Sequence, residues 1–239
     1  METPTLVMVG VRSLGRAIAL HFAAQKWQVV CASRTQADVD RLAAEVTSAG
    51  GHGLPVVCDL TEPASLAALV GASPRVDLCI AAQTSGGRFG ARPLLEIDDE
   101  EIDRGYRAYL RGTWNLLKAI GPRLLAQGSG TFLQIGTSSG VRTKDGFAAL
   151  GAIQHGLRAV VQVAAREWRT QGVHVAYLPI DGAIESDKSA GWVARNGEAR
   201  AIPQGEIARA CEYLHRQDPR AWTHELVLRP PGTTWTAPT

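Results

Sequence analysis

The sequence predicts an α/β fold: a mostly parallel sheet, doubly wound by helices on both faces into a three-layer sandwich. Two observations carry this expectation. Short β-rich runs alternate with longer helical patterns along nearly all of the 239 residues, an order that implies right-handed βαβ crossovers. The runs are also apolar almost throughout instead of alternating, as strands covered on both faces must be.

In chain order, TLVMVG (5–10) is the first strand, and helical spacing follows over 15–26. WQVVCAS (27–33) precedes a helix over 36–49, GLPVVCD (53–59) one over 62–71, and VDLCIAA (76–82) one over 98–126. GTFLQIG (130–136) leads to a helix over 147–171, VHVAYLP (173–179) to one over 204–216, and HELVLRP (224–230) supplies a seventh strand. The 98–126 helix opens with Asp98, Asp99, Glu100 and Glu101, which suit the positive end of its dipole. Pro122 is expected to kink that helix or end it early. Over 147–171, Leu150, Ile153, Leu157, Val161, Ala164 and Trp168 recur at helical spacing as a stripe for the core. The least regular stretch, 180–203, reads either as a flap over a substrate or as a surface loop with a short helix. No repeat, low-complexity tract or linker divides the chain, so one domain over 1–239 is expected.

Composition narrows the function. A hydrophobic fraction of 45% with 20% charged residues is that of a soluble globular protein. Twenty-five Lys and Arg against 23 Asp and Glu leave a net charge of +2, which gives no reason to expect nucleic acid or membrane as a partner. Cys31, Cys58, Cys79 and Cys211 are scattered, with no C-x-x-C pair, so neither disulfides nor a metal site are expected and a reducing cytoplasm fits. The start METPTLVMVG lacks the basic and long apolar regions of a signal peptide. No apolar run approaches the roughly 18 residues of a membrane span.

The first candidate site is VGVRSLGRAIA, between the first strand and first helix. A glycine-containing turn there lets backbone N–H groups meet a pyrophosphate at a helix N-terminus, which nominates Gly10, Arg12, Ser13, Leu14 and Gly15. The second strand ends in Ser33-Arg34-Thr35. Arg34 stands where NAD-binding folds tend to carry an acid for the ribose 2′-hydroxyl; an arginine instead clamps a 2′-phosphate. Arg12 approaches the same phosphate from the other side, so the pair favours NADP(H). Asp59, followed by Leu60 after the third strand, is placed to accept from an adenine amino group or to serve as an acid at the next helix N-terminus.

With these residues in hand, the chain resembles the short-chain dehydrogenase/reductase family over nearly its whole length. GRAIA, ASRT, CDLT, the GTFLQIGTSSG strand and the long helix after it fall in that family's order and spacing. The resemblance implies a seven-stranded Rossmann-type sheet, a nicotinamide cofactor across the strand ends, a small-molecule substrate, and a homodimer or homotetramer. It also shows departures. The glycine loop is one residue shorter than the family's and lacks the middle glycine. The family's Asn-Asn-Ala-Gly turn corresponds to Ala81-Ala82-Gln83-Thr84, its helix asparagine to Tyr109, and its serine to Thr137 with Ser138 beside it. The family's tyrosine and lysine correspond to Leu150 and Gln154.

Those last two matter most. Hydride delivery to a ketone builds negative charge on oxygen, and a positioned acid must supply a proton. A phenol of pKa about 10 serves when a nearby ammonium favours the phenolate; leucine and glutamine do neither. Loss of general acid catalysis costs on the order of 10²–10⁴ in rate. Thr137 or Ser138 remains to polarise a carbonyl, Tyr109 is the best replacement phenol, and Lys144 can supply positive charge. Gln154 can hold a ribose hydroxyl, His155 points away around the helix, and Asp181 is a candidate polar group in the turn after the sixth strand. Three functions are compatible with this set: an NADPH-dependent oxidoreductase of unusual mechanism, a non-catalytic NADP(H)-binding sensor or partner subunit, or a non-redox lyase or isomerase on the same scaffold.

Overall fold

The computed structural model describes residues 3–85, 89 and 91–233. Its main sheet is built from β1 (Thr5–Val9), β2 (Gln28–Ser33), β3 (His52–Val57), β4 (Leu78–Ala81), β5 (Thr131–Thr137) and β6 (His174–Ile180). All pairings are parallel, in the order β3-β2-β1-β4-β5-β6. The chain therefore winds outward in one direction from β1 to β3, then returns to wind the other way from β4. The crevice outside the carboxyl ends of β1 and β4 is where such a sheet binds ligands.

The intervening helices are α1 (Leu14–Ala23), α2 (Gln36–Ser48), α3 (Pro63–Gly71), α4 (Asp99–Gly105), α5 (Gly112–Gln127) and α6 (Ala148–Trp168). After β6 come β7 (Ala183–Ile184), α7 (Ala190–Asn196), β8 (Ala201–Ile202) and α8 (Gln204–His215). The period of two in β1 divides the core. Leu6 and Met8 join Ile18 and Phe22 of α1, Leu42 of α2 and Leu214 of α8. Val7 and Val9 join Leu69 of α3, Ile120 of α5 and Leu157 of α6. These two buried clusters on opposite faces make the three layers. No helix of the described residues is long and apolar enough to cross a membrane.

Two expectations need correction. Residues 224–228 run parallel to β6, but they make isolated bridges, Tyr177 to Glu225 and Ile180 to Leu228, and form no continuous seventh strand. Tyr177 N donates to His224 O, Leu226 N to Tyr177 O, Leu228 N to Pro179 O, and Asp181 N to Leu228 O. The missing rung is the one that position 179 would donate, and proline has no N–H. Pro122, in turn, neither ends nor breaks its helix, since α5 continues to Gln127. The interruption falls earlier, in a π-helical stretch over Tyr106–Arg111 between α4 and α5. Single π turns of this kind are frequent at functional sites.

One close contact fixes the top of β5. A Cβ on Gly136 would lie 2.2 Å from the Tyr177 hydroxyl, and one on Gly140 2.4 Å from it. Tyr177 is fully buried and fills the space beneath the turn that follows β5. Gly136→Ala should therefore destabilise the protein by about 1–3 kcal/mol through overpacking. Gly71→Ala, at the end of α3 with nothing within 4 Å of its Cβ position, should be neutral or stabilising by up to about 1 kcal/mol. Urea denaturation of both variants checks the contrast.

Candidate active site

The crevice is a cleft of about 1340 Å³. Its floor starts at Gly10, where the backbone takes φ +90° and a Cβ would sit 2.5 Å from the carbonyl oxygen of Ala82. Only glycine lets the end of β1 pass so close to the turn after β4. A Cβ on Gly15 would lie 1.7 Å from Gly10 O, so Gly15 packs beneath the loop and does not line the cleft. Among the described residues, no backbone acceptor takes the N–H groups of Arg12, Ser13 or Leu14, all three of which face the cleft. Ser13 adopts φ 44° and ψ −105°, a conformation suited to glycine. Its hydroxyl accepts from Gln204 Nε2 at 2.9 Å, at the start of α8.

Beyond the loop, Ser33, Arg34 and Thr35 line the cleft beside Arg12. Arg34 is exposed and makes no ion pair among the described residues. Asp38, which sequence reasoning missed, lies 3.9 Å from Arg12 Nε and is held by Arg41 on the other side. Asp59 turns one oxygen toward its own loop, accepting from Thr61 N at 2.9 Å and Thr61 Oγ1 at 2.7 Å. Asn115 of α5 donates to Leu60 O at 2.8 Å and pins that loop. Cys58 also borders the cleft, but burial, with a smaller contribution from Asp59, pushes its thiol up to about 11. It is no nucleophile.

Past β4, Ala82 and Gln83 line the cleft, while Ala81 is a fully buried strand residue and does not. Gln83 Nε2 donates to Thr113 Oγ1, which donates to Gln134 Oε1, both at 2.8 Å. Gln134 Nε2 in turn donates to Ala81 O at 3.1 Å. The chain fixes the Gln83 amide and leaves its Oε1 buried without a partner.

At the other end, Tyr109, Thr137, Ser138, Lys144 and Leu150 face the same space. Tyr109 sits within the π-helical stretch, tilted against Phe89 with ring centroids 6.1 Å apart. Thr137 Oγ1 accepts from Ser139 N at 3.3 Å and donates to no described group, so its proton is available. Ser138 is drawn instead to Asp181. That carboxylate is buried and receives Arg142 Nη2 at 2.8 and 2.9 Å and Arg229 Nε at 2.6 Å. Burial alone would raise the Asp181 carboxyl; hydrogen bonds from Arg229 and Arg142, the Arg142 charge and Ser138 outweigh it and hold it below the ordinary range.

The α6 stripe separates as it leaves the cleft. Ile153, Leu157, Val161 and Ala164 are buried in the core, but Leu150 is only half-buried and forms cleft wall. Gln154 is buried, and its Oε1 accepts from the Tyr177 hydroxyl at 3.3 Å. Its Nε2 has no partner among the described residues. His155 turns away, its Nδ1 2.9 Å from Gly151 O. Across the opening, Gly182, Ile184, Lys188, Trp192 and Arg200 come from the irregular stretch after β6. No group of three or more His, Cys, Asp or Glu among the described residues could hold a metal.

A family model described as enoyl-(acyl carrier protein) reductase matches residues 9–224. The chain belongs to the short-chain dehydrogenase/reductase family. A D-threitol dehydrogenase from Mycolicibacterium smegmatis is 25% identical over 221 residues, covering 87% of this chain and 84% of that protein. A short-chain dehydrogenase from Rhodopseudomonas palustris superposes with TM-score 0.81 at 26% identity, over 96% of this chain and all of that one. A metagenomic short-chain oxidoreductase in complex with NADP gives TM-score 0.77 at 25% identity, over 95% and 96% of the two chains. The phenol that bonds Gln154 is Tyr177, which does not line the cleft.

Two outcomes test this geometry. Ser13→Gly should stabilise the protein by up to about 1 kcal/mol, since strain of about 1–3 kcal/mol is relieved against a glycine cost of about 0.5–1 kcal/mol. Ser13→Ala should not stabilise it; chemical denaturation separates the two. Asp181→Asn should cost about 3–5 kcal/mol by leaving Arg142 buried without its counter-charge. Because the folded carboxyl titrates below its unfolded value, this contribution is present above about pH 4 and is lost as pH falls through the folded value. Thermal denaturation from pH 7 to pH 3 should show the two proteins converging in acid.

Proposed function

We propose that this chain is an NADP(H)-binding oxidoreductase that acts on a small carbonyl or hydroxyl compound without the family's Tyr–Lys pair. The observation that carries the cofactor reading is the Gln83 amide, held rigidly by Thr113 with its oxygen buried and unpaired at the cleft. An orphaned acceptor of this kind suits a ligand hydroxyl or amide N–H. The glycine cradle at Gly10 and the free N–H groups of Arg12, Ser13 and Leu14 suit a pyrophosphate. Ser33, Arg34 and Thr35 with Arg12 would hold the 2′-phosphate, Asp59 and Leu60 the adenine, and Ala82, Gln83 and the Gln154 Nε2 donor the far ribose. The cofactor supplies or accepts a hydride when bound.

In this reading Thr137 polarises the substrate oxygen, because its hydroxyl proton is free while that of Ser138 is drawn to Asp181. Tyr109 is the phenol that lines the cleft, and it supplies the proton. A second reading, cofactor binding without turnover, is favoured by Leu150, which puts an apolar wall where the proton donor stands in the family. The family's third alternative, a lyase or isomerase, has nothing in the cleft that favours it over these two. The four free, buried cysteines suit a reducing cytoplasm. A homodimer or homotetramer is proposed through the exposed Tyr106 and Trp114 of the α4–α5 segment and Val163 of α6; Ile153, Leu157, Val161 and Ala164 of the α6 stripe are taken up by the core. Light scattering at micromolar concentration decides that point.

NADPH should bind at least tenfold more tightly than NADH, since one charge-assisted pair contributes about 1.5–3 kcal/mol. Arg34→Ala should largely abolish the preference, and a fluorescence titration of both cofactors measures it. Reduction of generic ketones and aldehydes by the wild type should be slow. Leu150→Tyr with Gln154→Lys should raise it far more than either change alone, as groups acting as a unit do. Activity that disappears in Tyr109→Phe supports the oxidoreductase reading. Tight NADPH binding with no turnover before the double change supports the second.

A further inference from the structure

The cations of the cleft do not stand alike. At the end proposed for the cofactor, Arg12 lies near Asp38, and Arg34 is exposed to solvent. On the outer helix, Arg107 lies 3.5 Å from Asp103. Arg104 is different. It lines the cleft, it makes no ion pair or hydrogen bond with any described residue, and its Nε is shut away from solvent with no acceptor. Glu100, one turn earlier on the same helix and lining the same cleft, is not paired with it.

The packing places the helix that carries Arg104. The next residue, Gly105, lies flush on α6: a Cβ there would be 2.5 Å from Ile153 Cδ1. That contact seats α4 against the start of α6, so Arg104 shares the cleft with Phe147, Leu150 and Lys144. The lining here combines apolar Phe147 and Leu150 with the cations Arg104 and Lys144 and the acids Glu100 and Asp103, neither of which pairs with Arg104. A guanidinium with a desolvated N–H is a poor match for water and a good one for a planar or tetrahedral oxyanion, which takes two donors at once.

We infer that the substrate of this cleft carries an oxyanion group, a carboxylate or a phosphate monoester, on an apolar body, and that Arg104 is the residue that selects for it. The inference rests on the oxidoreductase reading for its substrate, but the binding determinant stands on Arg104 alone. Lys144 adds positive potential at the same end; Phe147 and Leu150 receive the apolar body. Position 150 is then a specificity position, where leucine widens contact with the substrate body and a tyrosine would add a hydroxyl.

Isothermal titration of the NADPH-loaded protein with 4-carboxybenzaldehyde, 4-formylphenyl phosphate and methyl 4-formylbenzoate tests it. At least one charged probe should bind tenfold or more tightly than the neutral ester, and which one does distinguishes carboxylate from phosphate. The preference should collapse in Arg104→Met and in Arg104→Gln and be partly kept in Arg104→Lys, with NADPH affinity unchanged in all three. Equal binding of the three probes, no detectable binding of any, or a preference that survives both neutral variants would overturn the inference. The same titrations without cofactor separate the two proposals: a charge preference that depends on Arg104 in a protein that fails to bind NADPH would sink the cofactor reading and leave this one standing.

Discussion

The upper end of the sheet depends on one contact, the passage of Gly10 under the carbonyl of Ala82. Parallel strands β1 and β4 must stay paired up to their last residues and then send their chains to opposite faces. A side chain at position 10 would collide with the backbone after β4, so the two ends would have to separate and the pairing would unzip from the top. With glycine there, the loop from β1 folds over Gly15, Arg12, Ser13 and Leu14 line the crevice, and Gln83 is delivered to its partner Thr113. Every proposed cofactor contact is arranged around that crossing.

A second constraint shapes the catalytic half. Tyr177 occupies the space under the turn after β5 and takes the Gln154 carbonyl. Its burial pushes the phenol well above its ordinary value, so it is a structural hydroxyl and no proton donor. On α6 this chain has a neutral amide, Gln154, tied to a phenol beneath the cleft. The Asp181 carboxylate, clamped by Arg142 and Arg229, holds the other side of the same turn. The turn carrying Thr137 is thereby fixed from two directions.

Much of this was legible in the sequence because it rests on local rules. A glycine directly after an apolar strand marks a backbone that must turn without a side chain, and an arginine at the end of the second strand announces its charge wherever the helix after it points. Six strands and the helices between them follow from apolar runs and helical spacing alone. What was not legible depends on distant pairs. Nothing near Tyr177 in the chain says that its hydroxyl reaches Gln154, 23 positions earlier, and nothing near Arg104 says that Gly105 will lie flat on Ile153. The seventh strand was misread for a subtler reason: the run over 224–230 has strand composition, but its partner carries a proline on the side where the ladder needs a donor. Ser13 was legible as a loop residue beside the glycines, but its strained backbone angles were not.

The proline at 179 also changes how the last segment is fastened. A continuous ladder opens as a unit, since each rung is held in register by its neighbours. Here 224–228 is attached by two separate clasps, one at Tyr177 and one at Asp181, with a silent position between them. The upper clasp sits beside the Arg142–Asp181–Arg229 cluster and the lower one beside the ion pair of Arg158 with Glu225. Each clasp is thus backed by its own charges. The edge of the sheet is held by two latches in series, and each has a carboxylate behind it, Asp181 near the cleft and Glu225 below, so acid bears on both.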